Sequence, residues 1–195
     1  MIKNLILASK SGIRLKILRD HGYRVEQHSS GVDEDEIKLS LKSSGATCLQ
    51  IAKNLAELKA NRISNKFPNM VVIGADQVLD LEGENIDKPK NIDEARQIMV
   101  RLNNKTHYLH SAVCVSRTGS MISNFHETNS LTMKAFNESE IEEYLKTNEI
   151  YKLKQYGVYQ IEEGGKKLFN EIKGDEYSIM GLPMKQLKPY LDQLS

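Results

Sequence analysis

The sequence predicts an α/β fold, on three observations. Short apolar runs with the pattern of buried strands, Leu5-Ile-Leu-Ala8 and Met70-Val-Val-Ile-Gly-Ala-Asp-Gln-Val-Leu-Asp-Leu81, are separated by segments in which apolar residues recur every three or four positions. At 195 residues the chain is long enough for one sizeable core, in at most two lobes, and too short for several independent domains. No internal repeat, low-complexity segment or Pro- or Gly-rich linker divides it, so residues 1–195 are expected to form a single domain.

In chain order, the strand at Leu5 leads through the polar loop Ser9-Lys-Ser-Gly-Ile-Arg14 into a helix carrying Leu15, Ile17 and Leu18 and ending near Gly22. A second strand at residues 23–28 runs to the acidic cluster Asp33-Glu-Asp-Glu36, for which a solvated surface and a functional role are both open. Thr47-Cys-Leu-Gln50 has the spacing of a helix capping box. Cys48, Ala52, Leu55, Ala56 and Ile63 then share one face. After the strand at 70–81, Leu81-Glu-Gly-Glu-Asn85 reads as a hairpin turn, and residues 91–102 as an amphipathic helix. Strands at 107–117 and about 124–136 meet near Thr118-Gly119, and a helix starts at Asn137 with Glu140 three residues on. Irregular Gly-containing segments follow, up to a final helix after Pro183.

The charges nearly cancel, 27 Lys+Arg against 26 Asp+Glu, so no overall basic field points to nucleic acid or to an anionic membrane. No apolar run approaches the roughly 20 residues of a membrane span, and the N-terminus enters a strand instead of a signal peptide. Cys48 and Cys114 lie in apolar patterns without His or Cys at ligand spacing. They read as core residues of a protein in the reducing cytoplasm.

Two charges fall where folding does not ask for them. Asp76 sits in the most apolar stretch of the chain, where a carboxylate costs free energy unless it is paired, metal-bound or protonated. Lys59 falls on the apolar face of its helix, four residues after Leu55; either its stem packs with the ammonium in water, or the ammonium is aimed into a site. Lys88 is held on a stiff, non-helical segment by Pro89. The five histidines show no mutual ligand spacing, and Ser9 and Ser11 have no local His base that would support a covalent serine mechanism. Tyr156 and Tyr159 are open to stacking on a base or to core packing.

In order along the chain stand Ala8-Ser9-x-Ser11-x-x-Arg14, Val32-Asp33-Glu34, Leu55-Ala56-x-x-Lys59-Ala60, Gly74-Ala75-Asp76, Asp87-Lys88-Pro89, His107 with Ser111, Gly174-Asp175 and Gly181-Leu182-Pro183. This ordered set resembles the Maf-like (septum-formation) family of nucleoside triphosphate pyrophosphatases, over nearly the whole length. The resemblance implies an inosine-triphosphatase-like α/β fold, with a twisted mixed β-sheet flanked by helices and two lobes around a central cleft. It also implies a cytoplasmic homodimer that hydrolyses an ordinary, modified or non-standard NTP to NMP and pyrophosphate with a divalent metal, magnesium or manganese.

Hydrolysis between the α- and β-phosphates needs cations for a polyphosphate tail, a metal to withdraw charge at phosphorus, and a carboxylate to orient or deprotonate water. Ser9 and Ser11 at a helix N-terminus can cradle phosphate, with Arg14 as a fork-shaped cation and Lys59 and Lys88 as point charges. Glu34 and Asp76 are hard oxygen donors for the metal, and the resemblance makes Asp76 the general base. The chain departs from the family pattern at Ile13, where an arginine is usual, at Gln77 for threonine, at Gln155 for lysine and at Glu162 for glutamine. Three of these substitutions, at Ile13, Gln155 and Glu162, each make what a polyphosphate would meet more negative by one charge. Either Glu162 serves the substrate or an added metal, or the substrate differs, or the chain is a catalytically weakened nucleotide-binding regulator of cell division.

Overall fold

The computed structural model describes residues 4–162 and 164–194, with nothing said below of the Tyr156 side chain. It is a mixed α/β structure. Strands β1 (Asn4–Leu7), β2 (Arg24–Gln27), β3 (Val71–Leu81), β4 (Glu84–Ile86), β5 (Thr106–Arg117), β6 (Ser120–Met133) and β7 (Phe169–Lys173) form a seven-stranded sheet. Its order is β2-β1-β3-β5-β6-β7, with β4 paired to β3. Strand β1 pairs in parallel with both β2 and β3, whereas β3–β4 and β6–β7 are antiparallel. The helices are α1 (Gly12–Asp20), α2 (Glu34–Ser43), α3 (Cys48–Ser64), α4 (Ile92–Leu102), α5 (Glu138–Thr147), α6 (Ile150–Tyr156), α7 (Glu176–Ile179) and α8 (Met184–Gln193).

Most boundaries follow from local chemistry. Ser11, Thr47, Asn91 and Asn137 each accept a backbone N–H three residues on, ending the exposed helix starts at α1, α3, α4 and α5. The boxes at Thr47–Gln50 and Asn137–Glu140 are closed reciprocally. The β3–β4 and β5–β6 connections turn on Glu82-Gly83 and Thr118-Gly119, all four residues at positive φ, as two-residue hairpins require. Three helices, α2, α6 and the short α7, lie where the sequence predicts none. Helix α2 turns out to be capped by Asp33, and the acidic cluster is its first turn; α6 has no side-chain cap.

The described residues group into two compact units. In the first (1–78, 110–128 and 175–195), alternation along the strands sends Leu5, Leu7, Ile73, Ala75, Val113 and Val115 into one cluster with Ile17 and Leu18 of α1 and Leu187 and Leu191 of α8. The intervening residues Ile6, Val72, Val78, Ala112 and Cys114 face α3, where they meet Ile51, Leu55, Ala56, Ala60 and Ile63. Both cysteines are buried and reduced, and burial pushes the Cys114 thiol up to about 11.

The second unit (79–109 and 129–174) buries Met99 and Leu102 of α4, Ile141 and Leu145 of α5, and Leu131, Met133 and Phe169 of its strands. Helices α4 and α5 pack together, with Arg96 forked onto Glu142. His107, fully buried, has Nε2 2.6 Å from the Tyr159 hydroxyl and its ring against Tyr159 and Phe169, so here it holds structure and Tyr159 is a packing residue. Burial lowers its pKa from 6.5 to about 4. Between those values the unfolded chain takes a proton that the folded chain refuses. Stability is therefore full above pH 6.5 and is expected to fall by on the order of 3 kcal/mol as the pH drops towards 4. Urea titrations of wild type and His107→Phe across this window check it; the variant should lose most of that slope.

Candidate active site

Strand β3 carries the centre of the site. Residues 72, 74, 76 and 78 share the face turned to α3, which puts the Asp76 carboxylate among side chains that are otherwise apolar. Gly74 lets the helix come close: a Cβ there would lie 2.2 Å from the Ala56 carbonyl oxygen and 2.6 Å from the Ala60 nitrogen. The sequence segments Leu55-Ala56-x-x-Lys59-Ala60 and Gly74-Ala75-Asp76 are thus two sides of one contact. That contact delivers Lys59 to Asp76.

Lys59 does not reach for solvent. It is 4 % exposed, and its Nζ donates to Asp76 Oδ1 at 2.6 Å and lies 2.8 Å from Glu34 Oε1. Asp76 is 5 % exposed and lies within the strand instead of capping a turn. Its second oxygen, Oδ2, is buried with no hydrogen-bond partner among the described residues, an arrangement that costs free energy unless a ligand completes it. Glu34, on the first turn of α2, is about half exposed. Burial raises its pKa, but the charge and hydrogen bond of Lys59, with Lys38 and Arg14, outweigh that and hold it below the ordinary carboxylate range.

Arg14 braces β3 through the backbone of the strand. Its Nε donates to the Gly181 carbonyl at 2.9 Å and its Nη1 to the Ala75 carbonyl at 2.7 Å, with Ser9 Oγ at 3.4 Å. Ser9 Oγ also accepts from the Ser11 backbone, and Ser11 Oγ from the Arg14 backbone, so the loop before α1 is ordered by its own hydroxyls. Gly181 has φ +92°, and a Cβ there would fall 2.8 Å from Arg14 Nη2. The late Gly-Leu-Pro segment is therefore shaped to receive this arginine. Burial lowers the pKa of Arg14, opposed by the charges of Asp76 and Glu34.

Sequence reading missed a second brace. Gln77 Nε2 donates to Ser111 Oγ and to the Ile179 carbonyl, each at 2.8 Å, and Ser111 Oγ donates to the Ser178 carbonyl at 2.6 Å. Asp76 is thus flanked by Ala75, held by Arg14, and Gln77, held on α7. The departure at 77 fills a structural position, and Ile13 packs its side chain against the core.

Ser9, Ser11, Arg14, Glu34, Lys59 and Asp76 all belong to the first unit. Lys88 and Glu162 belong to the second. There Lys88 Nζ donates to the Gln155 carbonyl at 2.6 Å, and Glu162 is exposed in a turn. Among the described residues, no group of three or more His, Cys, Asp or Glu side chains converges to hold a metal. Glu34 and Asp76 are two hard oxygen donors side by side, and the unpartnered Asp76 Oδ2 fits a cation that takes its remaining ligands from water and phosphate, as magnesium does.

Residues 4–194 match the family described as Maf-like protein. The chain is 52% identical over 191 residues to the nucleoside triphosphate pyrophosphatase of Pelagibacter ubique, covering 98% of each chain. It is 42% identical to the nucleoside triphosphate pyrophosphatase of Caulobacter vibrioides, covering 95% of this chain and 92% of that one. Against the 7-methyl-GTP pyrophosphatase of Brucella abortus it is 37% identical, covering 96% and 94%.

Proposed function

We propose that this chain, which belongs to the Maf-like protein family, is a nucleoside triphosphate pyrophosphatase that hydrolyses an ordinary, modified or non-standard NTP to NMP and pyrophosphate. The observation that carries the reading is the Asp76 carboxylate, buried, fixed by Lys59 through one oxygen and unpartnered at the other. Such a group is poised to accept a proton from water or to orient it. The names of the relatives support the same reaction.

In this reading Ser9 and Ser11, with the backbone N–H groups at the start of α1, receive phosphate oxygens. Lys59 and Lys88 supply point charges to the polyphosphate, and Arg14 contributes its field while holding Ala75 in place. Glu34 and Asp76 would hold a divalent cation, magnesium or manganese. That ion, when bound, draws charge from the phosphorus under attack. Glu162 is assigned to the substrate. The proposal extends to one Maf-like domain over 1–195, acting as a cytoplasmic homodimer without nucleic acid or membrane. The near-balance of charge supports the last part, as does the absence, among the described residues, of a helix long and apolar enough to cross a membrane.

The test is pyrophosphate release from a panel of NTPs that includes 7-methyl-GTP, with magnesium or manganese, for wild type and Glu162→Gln. Release from at least one member is the expected result, and none from any member removes the catalytic claim. A gain by Glu162→Gln on unmodified NTPs would place substrate choice at this residue. The second reading, a nucleotide-binding regulator without turnover, is supported by the core packing of Ile13 where the family has an arginine. It expects thermal stabilisation by NTP with no product.

A further inference from the structure

We infer that Lys59 acts as a resident counter-cation that keeps free divalent metal off Glu34 and Asp76 until a polyphosphate draws the ammonium away, so that metal and nucleotide bind with positive coupling. The inference deepens the pyrophosphatase reading and rests on it for the identity of the polyphosphate.

The geometry carries the argument. One ammonium lies within hydrogen-bond distance of a single oxygen on each of the two carboxylates, 2.6 Å from Asp76 Oδ1 and 2.8 Å from Glu34 Oε1. A metal bound to the same carboxylates must share their charge with that ammonium. Lys59 is held on the carboxylates and out of water: its side chain is 6 % exposed and its stem rises from the buried face of α3. Arg14 adds a second fixed positive charge close enough to act on both carboxylates. The four groups Arg14, Lys59, Glu34 and Asp76 sum to zero formal charge. A divalent ion added alone leaves a surplus of two positive charges beside the buried Lys59 and Asp76, which is unfavourable.

A polyphosphate changes both sides of this balance. Its oxygens offer Lys59 a better-charged acceptor and neutralise the surplus, so the carboxylates are released to the metal just when the substrate arrives. Because the coupling is a free energy of binding, it is reciprocal: metal must also tighten the nucleotide. The buried, unpartnered Asp76 Oδ2 is what remains available while Lys59 occupies Oδ1.

The experiment measures Mn2+ binding without nucleotide, from the EPR signal of free Mn2+, in wild type, Lys59→Met, Lys59→Gln and the double variant Lys59→Met/Asp76→Asn. Removing the ammonium is expected to tighten Mn2+ by about tenfold or more, within the usual range of coupling between sites. The double variant should lose the gain. If a folded Lys59 variant, checked by circular dichroism, binds Mn2+ no more tightly than wild type, the inference is overturned. Should neither variant fold, wild type decides. A non-hydrolysable α,β-imido triphosphate must bind at least about fivefold more tightly with Mn2+ than without, after correction for Mn2+ complexation in solution. Equal affinity overturns the inference. Neither readout needs turnover, so a failure to release pyrophosphate would sink the proposed activity and leave this result standing on its own.

Discussion

Asp76→Asn is expected to lower pyrophosphate release by about 10²- to 10⁴-fold, the range for loss of a positioned general base. The chain should still fold. Asparagine has the shape of aspartate, its carbonyl can still accept from Lys59, and Lys59 keeps Glu34 at 2.8 Å. The variant therefore separates chemistry from structure better than truncation to alanine, which would leave the Lys59 ammonium with one buried partner fewer and open a void under α3. Initial rates at saturating NTP, with circular dichroism on the same preparation, check the claim. Turnover within about threefold of wild type would take Asp76 out of its assigned role.

Gly74→Ala is expected to cost about 3 kcal/mol, at the upper end for overpacking, because the atoms its methyl would meet are the backbone of Ala56 and Ala60 and cannot rotate aside. Helix α3 must move as a body, and Lys59 moves with it. Stability and activity should fall together, with a melting temperature lower by roughly 6 to 12 °C for a chain of this size. Gly12→Ala is the control: nothing lies within 4 Å of a Cβ there and no positive φ is required. It should change stability by no more than about 0.5 kcal/mol. Equal melting temperatures for Gly74→Ala and wild type would contradict the close-approach account of the Gly-Ala-Asp segment.

What could be read from the chain, and what could not, divides by sequence distance. Helix α3, its capping box and its buried face were legible because each depends on residues within four positions of one another. Lys59 and Asp76 were legible for a related reason, as charges placed where the local pattern demands apolar side chains. Helix α2 was hidden because an acidic run reads as surface. Its helical cues, Asp33 capping Glu36 and the spacing of Ile37 and Leu41, are weak, and no residue of it is fully buried. The braces at Arg14–Gly181 and Gln77–Ile179 join positions 167 and 102 residues apart, which no periodicity reports. Gln77 shows the consequence. As a departure from a family pattern it suggested altered chemistry, whereas in the fold its amide ties the strand beside Asp76 to Ser111 and α7.

The proposed role of Asp76, Lys59 and Glu34 is cleavage between the α- and β-phosphates. Phosphorus-31 NMR of the products formed by wild type from its preferred NTP tests this most directly. Equimolar nucleoside monophosphate and pyrophosphate are expected to appear together, from a reaction that Asp76→Asn slows by about 10²-fold or more. Nucleoside diphosphate with orthophosphate, or unchanged NTP across the whole panel, would contradict it.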